Sequence, residues 1–256
     1  MNYINKRTDN NTNDFIFGLH PVIEAIESGQ NVDKILLRKG FAGELSKELF
    51  KITKDYQIPV QQVPVEKIDS ITRKNHQGVL AFLSPVEFND IDTIVSETFE
   101  KGELPFIVAL DQITDVRNMG SIIRTAECAG AHAILISAKG SARISSDTVK
   151  TSAGAIFHLP VCRTDSLLIK VKNLQKSGLQ IIAASEKANE NYYNTDFTKP
   201  FVLILGSEEF GITPEIIRQS DSFVKIPVCG KIKSLNVSNA AAVLMYEALK
   251  QRDLKI

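Results

Sequence analysis

A chain of 256 residues that is 43% hydrophobic and 23% charged holds enough apolar material for one large core or two modest ones. Its 30 basic and 30 acidic residues cancel, which allows a nucleic-acid partner through a local basic groove without demanding one. The longest apolar runs, 106–110 and 201–205, fall far short of the roughly 18 residues a membrane helix needs. Cys128, Cys162 and Cys229 show no CxxC spacing and the four histidines are scattered, so membrane spans, a disulfide framework and a metal site are excluded, and a soluble cytoplasmic protein is expected.

Residues 1–13 are polar rather than signal-like and read as a disordered tail. From 14 to 88 helical and strand signals alternate. GLHPVIEAIES places apolar residues at Val22, Ile23 and Ile26 with Pro21 near a helix start, and KILLRKG, PVQQVPV and QGVLAFLS read as strands around the helix GELSKELFKITKDY. A small α/β domain follows. Within it Arg73, Lys74, His76 and Gln77 precede Gly78 and the strand VLAFL, a grouping that either grips phosphate and a base edge or forms a solvated turn. The next stretch, 89–103, has five acidic residues against one basic and reads as an acidic linker. From 104 to 256 the chain repeats strand and helix: FIVAL, AILIS, QIIAAS, FVLILG and SFVKIPV are short β-rich runs with helical stretches between or after most of them. A mostly parallel sheet covered on both faces is expected. It carries no GxxxxGK[ST], GxGxxG or GxSxG, which removes P-loop, ordinary dinucleotide and nucleophile-elbow chemistry.

Three blocks, 111–131, 205–212 and 226–243, each run from an apolar segment into a polar loop and then towards a helix, which is how an α/β enzyme sets polar groups at the carboxyl ends of its strands. In the first, Asn118 reads as a helix cap and Gly130 as a helix stop, with Arg124 about one and a half turns in, either functional or a solvated arginine. In the second, Gly206 ends a strand where backbone approaches a ligand, and one of Glu208 and Glu209 is expected only to be solvated. Thr213, Pro214 and Glu215 then read as a cap, a first-position proline and a first-turn acid. In the third, Ser234, Asn236 and Ser238 precede an alanine-rich helix from Asn239 to Lys250, and any of them could serve only as a cap.

Together the blocks, written N-x-G-x-x-x-R, L-G-S-E-x-x-G-I and I-P-x-x-G-x-x-x-S-L-N-V-S-x-A, resemble the three signature motifs of the SpoU/TrmH family of RNA ribose 2′-O-methyltransferases. Residues 15–84, with FGLHPVIEAI and HQGVLAF, resemble the RNA-binding domain that precedes the catalytic domain in the RlmB-type branch. The chain departs from the pattern at Glu209, where many relatives have glycine. The resemblance implies a parallel-sheet catalytic domain over 104–256 whose C-terminal segment threads a trefoil knot, a rare exception to unknotted topology. It further implies S-adenosylmethionine held at Gly206, Ile226 and Leu235, with Ala184 and Ser185 as further lining, and functional groups at Asn118, Arg124, Glu208, Ser234 and Asn236. Its other implications are a homodimer and a structured RNA substrate, a 23S rRNA guanosine first and tRNA as the alternative; a non-catalytic RNA-binding or ribosome-assembly factor is the alternative of another class. Because the departing thioether is neutral, the enzyme must align and deprotonate the ribose hydroxyl. Arg124 either takes that proton or stays cationic and activates the hydroxyl while water or phosphate takes it.

Overall fold

In the computed structural model, which describes residues 14–253 except the side chains of residues 44, 45 and 253, the chain divides after Ser84 into two units. The tail expected at 1–13 lies outside the described residues. The first unit runs β1 (Phe15–Phe17), α1 (Leu19–Glu27), β2 (Val32–Arg38), α2 (Glu44–Asp55), β3 (Val60–Val63), α3 (Val65–Asp69) and β4 (Val79–Leu83). Its sheet has the order β1-β4-β2-β3, with β4 antiparallel to both neighbours and β2 parallel to β3. Alternation along the strands separates two apolar clusters, one under α1 and α2 and one under α3.

The second unit runs β5 (Phe88–Asn89), α4 (Ile91–Glu100), β6 (Phe106–Asp111), α5 (Val116–Cys128), β7 (Ala133–Ser137), α6 (Ser146–Thr151), β8 (Val161–Thr164), α7 (Leu167–Lys176), β9 (Gln180–Ala184), β10 (Glu190–Asn191), β11 (Phe201–Gly206), α8 (Pro214–Gln219), β12 (Ser222–Lys225) and α9 (Val237–Asp253). Its eight strands lie in the order β10-β12-β9-β11-β6-β7-β8-β5, all pairings parallel. Side chains on one face of the sheet pack with α5 and α9, through Ile122, Ile123, Leu244 and Met245; those on the other pack with α4, α7 and α8, through Ile91, Val171 and Ile216. Being covered twice, β6 and β11 are buried along almost their whole length, as a continuous apolar run requires.

The stretch expected as a linker belongs to this second unit. Asp90 caps α4 by accepting from Thr93 N at 3.0 Å and Thr93 Oγ1 at 2.9 Å, and Ile91 and Val95, one turn apart, are buried in the sheet's core. Asp92, Glu97 and Glu100 point to solvent. The acids that suggested a linker are the wet side of an amphipathic helix.

The end of α9 is tied down by Arg252. Its Nε donates to Phe197 O at 3.1 Å, Nη1 to Leu104 O at 2.9 Å, and Nη2 to Lys199 O at 3.0 Å and Pro105 O at 3.3 Å, while the guanidinium lies 4.9 Å from the Phe201 ring centroid. Burial pulls its pKa below the usual arginine value. Arg252→Ala takes the donor from four carbonyls, of which those of Phe197 and Pro105 are partly buried, and is expected to lower unfolding free energy by about 2–4 kcal/mol in urea titrations. A loss under about 0.5 kcal/mol would show that the fork is dispensable.

Candidate active site

The carboxyl ends of β6 and β11 are neighbours, with Asp111 in register with Gly206. From there the chain leaves in opposite directions: the loop after β6 leads to α5 on one face of the sheet, and the loop after β11 leads to α8 on the other. Such divergence opens a crevice at the strand ends. Two contacts bind the loops across it. Asp111 Oδ2 accepts from Thr213 N at 2.6 Å, and Gln112 Nε2 donates to Thr213 Oγ1 at 3.2 Å. Asp111 is buried, and it and Gln112 open the first block, although neither was among the expected site residues.

The second block forms a tight turn. Gly211 N donates to Ser207 O at 2.9 Å and Phe210 N to Ser207 Oγ at 3.0 Å. Gly211 takes the left-handed backbone, φ +73°, whereas Glu209 does not. The turn therefore accommodates glutamate where many relatives of the resembled family have glycine. Gly206 is needed for a different reason: a Cβ there would lie 2.2 Å from Gly211 C and 2.3 Å from Ile212 N. The third block is an irregular loop from Ile226 to Asn236, after which α9 begins at Val237, two residues before the start expected at Asn239.

These loops bring three candidate side chains together. Asn118 Nδ2 donates to Glu208 Oε1 at 3.0 Å, Asn236 Nδ2 donates to Asn118 Oδ1 at 3.1 Å, and Asn236 Nδ2 also donates to Glu208 Oε1. The residues are 90 and 118 positions apart from Asn118, so the contacts join all three blocks. Asn236 divides its amide: the nitrogen serves this cluster, while Oδ1 accepts from Ser238 N at 2.9 Å and Ser238 Oγ at 2.6 Å and caps α9. Asn118 is not the cap of α5. That place belongs to Asp115, whose Oδ1 accepts from Arg117 N at 2.6 Å and Asn118 N at 3.3 Å, leaving the Asn118 amide free for Glu208. Glu208 and Glu209 are both exposed.

A cavity of about 400 Å³ opens beside the cluster, within the size range of small-ligand sites. Gly206, Ile226 and Leu235 line it, as do Ala184 and Ser185 and two unforeseen residues, Glu186 and Lys187. Its wall mixes apolar groups of Leu205, Val224 and Leu244 with the carboxylates of Glu186, Glu208 and Glu209. An apolar wall fits an adenine ring, and carboxylates fit a sulfonium and an ammonium, so the lining suits S-adenosylmethionine.

Other candidates stand apart. Ser234 lines the cavity but is exposed, and it has no hydrogen-bond partner among the described residues. Arg124 is exposed on α5, likewise without a hydrogen bond or ion pair among the described residues. Six helical positions from Asn118, it lies about 9 Å further along the axis and about a third of a turn round. In the first unit, His76 is buried: Nε2 lies 2.8 Å from Asp69 Oδ1, and Nδ1 accepts from Gly78 N at 3.0 Å. Gln77, at φ +54°, accepts from Leu19 N through Oε1 at 3.3 Å. Both side chains hold the turn before β4; Arg73, Lys74 and Gln77 are exposed, whereas His76 is not.

Among the described residues no cluster of His, Cys, Asp and Glu could hold a metal ion, and no helix is long and apolar enough to cross a membrane. Burial pushes the Cys162 thiol up to about 12, whereas Cys128 and Cys229 are exposed. Iodoacetamide at neutral pH is expected to alkylate Cys128 and Cys229 quickly and Cys162 only after denaturation, read by peptide mass. Because Cys229 follows the lining residue Val228, S-adenosylmethionine should slow its alkylation but not that of Cys128. Equal protection of both, or of neither, would argue against a donor site under this loop.

The chain matches the SpoU rRNA Methylase family over residues 105–246, and the family of RNA 2′-O ribose methyltransferase substrate-binding domains over residues 15–89. It is 32% identical over 240 residues to YacO of Bacillus subtilis, which is assigned by its name to the TrmH family of tRNA/rRNA methyltransferases; the match covers 94% of this chain and 96% of the relative. A Staphylococcus saprophyticus protein assigned to the same family is 34% identical over 238 residues, covering 93% of this chain and 96% of the relative. Among solved structures, the SpoU methyltransferase AviRb from Streptomyces viridochromogenes, in complex with AdoMet, is 25% identical with a TM-score of 0.59, covering 94% of this chain and 90% of that one. The A. aeolicus TrmH/SpoU tRNA modifying enzyme is 31% identical with a TM-score of 0.55, covering 60% of this chain and 78% of that one.

Proposed function

The chain belongs to the SpoU rRNA methylase family, and from that premise we propose that it transfers the methyl group of S-adenosylmethionine to the 2′-hydroxyl of a guanosine ribose in 23S rRNA. The observation that carries the reading is the union of three distant motifs: Asn118, Glu208 and Asn236 meet beside a cavity lined by Gly206, Ile226 and Leu235. Bound there, the donor supplies an electrophilic methyl on a sulfonium whose departing thioether needs no acid. What remains for the protein is to hold both partners and to remove the hydroxyl proton.

Each residue takes a part of that task. Gly206, with no Cβ to strike Gly211 and Ile212, lets the loop after β11 fold back beside the donor, and Ile226 and Leu235 close an apolar wall around it. The Glu208 carboxylate, receiving both asparagine amides, holds the loop after β11 to α5 and to the head of α9. Ser234, exposed on the cavity wall, is placed to hydrogen-bond the substrate ribose or its phosphate. Arg124, without a hydrogen bond or ion pair among the described residues, offers its guanidinium to the RNA, where a cation beside the hydroxyl favours the alkoxide and water or phosphate takes the proton.

A homodimer is part of the proposal. Phe210 is 67% exposed, Ile232 76% and Tyr246 50%, and the second unit would gain by covering such side chains against a second copy. The RNA substrate gains support from the match of residues 15–89 to substrate-binding domains; the preference for 23S over tRNA rests on that leading domain.

The test is methyl transfer from labelled S-adenosylmethionine to unmodified 23S rRNA and, in parallel, to bulk tRNA, with alkali-resistant riboses mapped. One labelled guanosine in 23S rRNA is expected. Labelling of tRNA alone moves the substrate to tRNA, and RNA binding without transfer to either returns the chain to the non-catalytic class.

A further inference from the structure

The first unit treats the two faces of its sheet differently. α1 and α2 cover one face, over Ile35, Leu37, Val79 and Ala81. The other face has the five-residue α3, whose Ile68 packs on Leu36, Val63 and Leu80, and the rim of that cluster is aromatic: Phe15, Phe17 and Phe82 are only half-buried. Strand geometry puts them together, since Phe15 and Phe17 alternate on β1, Phe15 pairs with Phe82, and Phe17 pairs with Leu80 of the same face. The Phe15 ring centroid is 6.4 Å from that of Phe17 and 6.4 Å from that of Phe82. Each end of the row has a cation: Lys74 Nζ lies 5.9 Å from the Phe17 centroid, and Lys34 Nζ 5.9 Å from the Phe82 centroid. Arg73, next to Lys74, is exposed.

A cluster rim needs only apolar area, which leucine would supply as well. Rings in a row with ammonium groups at both ends match something narrower: a ligand that alternates flat π-faces with anionic groups. An unpaired polynucleotide has that chemistry, whereas duplex RNA keeps its bases stacked inside and offers only backbone and groove. We infer that the Phe15, Phe17 and Phe82 face binds a single-stranded stretch of the substrate RNA, its bases stacked on the rings and its phosphates paired with Lys34 and Lys74. This rests on the proposed RNA substrate and adds where the leading unit holds it and in what form. It also gives Lys74 a place in RNA binding that the buried His76 cannot share.

Fluorescence anisotropy of a short labelled oligouridine with the full chain tests it, with a fully paired RNA hairpin as the second probe. Phe17→Leu and Phe82→Leu keep the apolar volume, and thermal melts check that each variant folds. Each is expected to weaken oligouridine binding roughly 5- to 50-fold and to leave the hairpin's affinity unchanged. Lys34→Gln and Lys74→Gln should each flatten the dependence of log affinity on log salt by about 0.7. Unchanged oligouridine affinity in both folded leucine variants overturns the inference, as does a hairpin that binds tighter than the oligomer and is weakened by the same changes. Titration with S-adenosylmethionine separates the two levels: donor binding intact with indifferent phenylalanines condemns this face alone, whereas a wild-type chain that binds neither donor nor RNA condemns the proposed function with it.

Discussion

Gly206→Ala is expected to lower affinity for S-adenosylmethionine at least a hundredfold and to destabilise the second unit. A Cβ at this position would meet Gly211 C at 2.2 Å, Ile212 N at 2.3 Å and Gly211 O at 2.5 Å. These are backbone atoms that cannot rotate away, so relief comes only by moving a strand end or a loop. The strand end is held by its pairing with β6, where Gly206 is opposite Asp111, and the loop is held where Asp111 accepts from Thr213 N at 2.6 Å. Whichever yields, the cavity wall shifts, and Glu208 moves relative to Asn118 and Asn236. Overpacking of this kind costs about 1–3 kcal/mol, sometimes more. Calorimetric titration with the donor and urea denaturation read the two effects separately. Gly211→Ala is the control: its left-handed φ of +73° strains an alanine by roughly 1 kcal/mol, but nothing lies within 4 Å of the added Cβ, so donor binding should survive. Wild-type affinity in Gly206→Ala would move the donor away from this cradle.

The strands that build the crevice could be read from sequence because their burial leaves no choice of residue. FIVAL and FVLILG are apolar without alternation, and in the structure they are adjacent β6 and β11, covered on both faces. Short or edge elements escaped for the opposite reason. β5 and β10 have two residues each, too few for any period, and the apolar side of α4 is carried by Ile91 and Val95 in a stretch, 89–103, that holds five acids. The cap of α5 was misplaced because Asp115 and Asn118 are both good capping residues three positions apart, and only the structure shows which side chain accepts. His76 and Gln77 illustrate a second ambiguity. An imidazole and an amide before a glycine look alike whether they face RNA or fold back, and here they fold back onto Asp69, Gly78 and Leu19. Nothing local foretells that Asn118, Glu208 and Asn236 share hydrogen bonds across 90 and 118 residues. That meeting is a product of strand order, and resemblance rather than periodicity pointed to it.

Arg124→Ala is expected to reduce the single-turnover rate of methyl transfer by about 10² to 10⁴, the range over which a positioned proton-transfer or charge-stabilising group acts, while donor affinity stays within twofold. The split follows from placement. Arg124 is exposed and does not line the donor cavity, so its loss leaves Gly206, Ile226 and Leu235 as they are. Nor does it hold the fold together, since it has no hydrogen bond or ion pair among the described residues, and truncating an exposed helical side chain costs within about 0.5 kcal/mol. Its neighbours on α5 differ: Asn118 is fixed by Glu208 and Asn236, and Ile122 and Ile123 are buried. A cation kept without a partner on the same helix as an engaged asparagine is poised for a ligand that brings its own negative charge, and RNA is such a ligand. Arg124→Lys then separates the two chemical roles. A lysine keeps the charge but loses the planar fork, so retention of more than about a tenth of the rate assigns Arg124 to electrostatic activation of the hydroxyl. A rate as low as that of the alanine variant assigns it to directional contact with the reacting ribose. Full single-turnover activity in Arg124→Ala, with donor and RNA both bound, removes the residue from the chemistry.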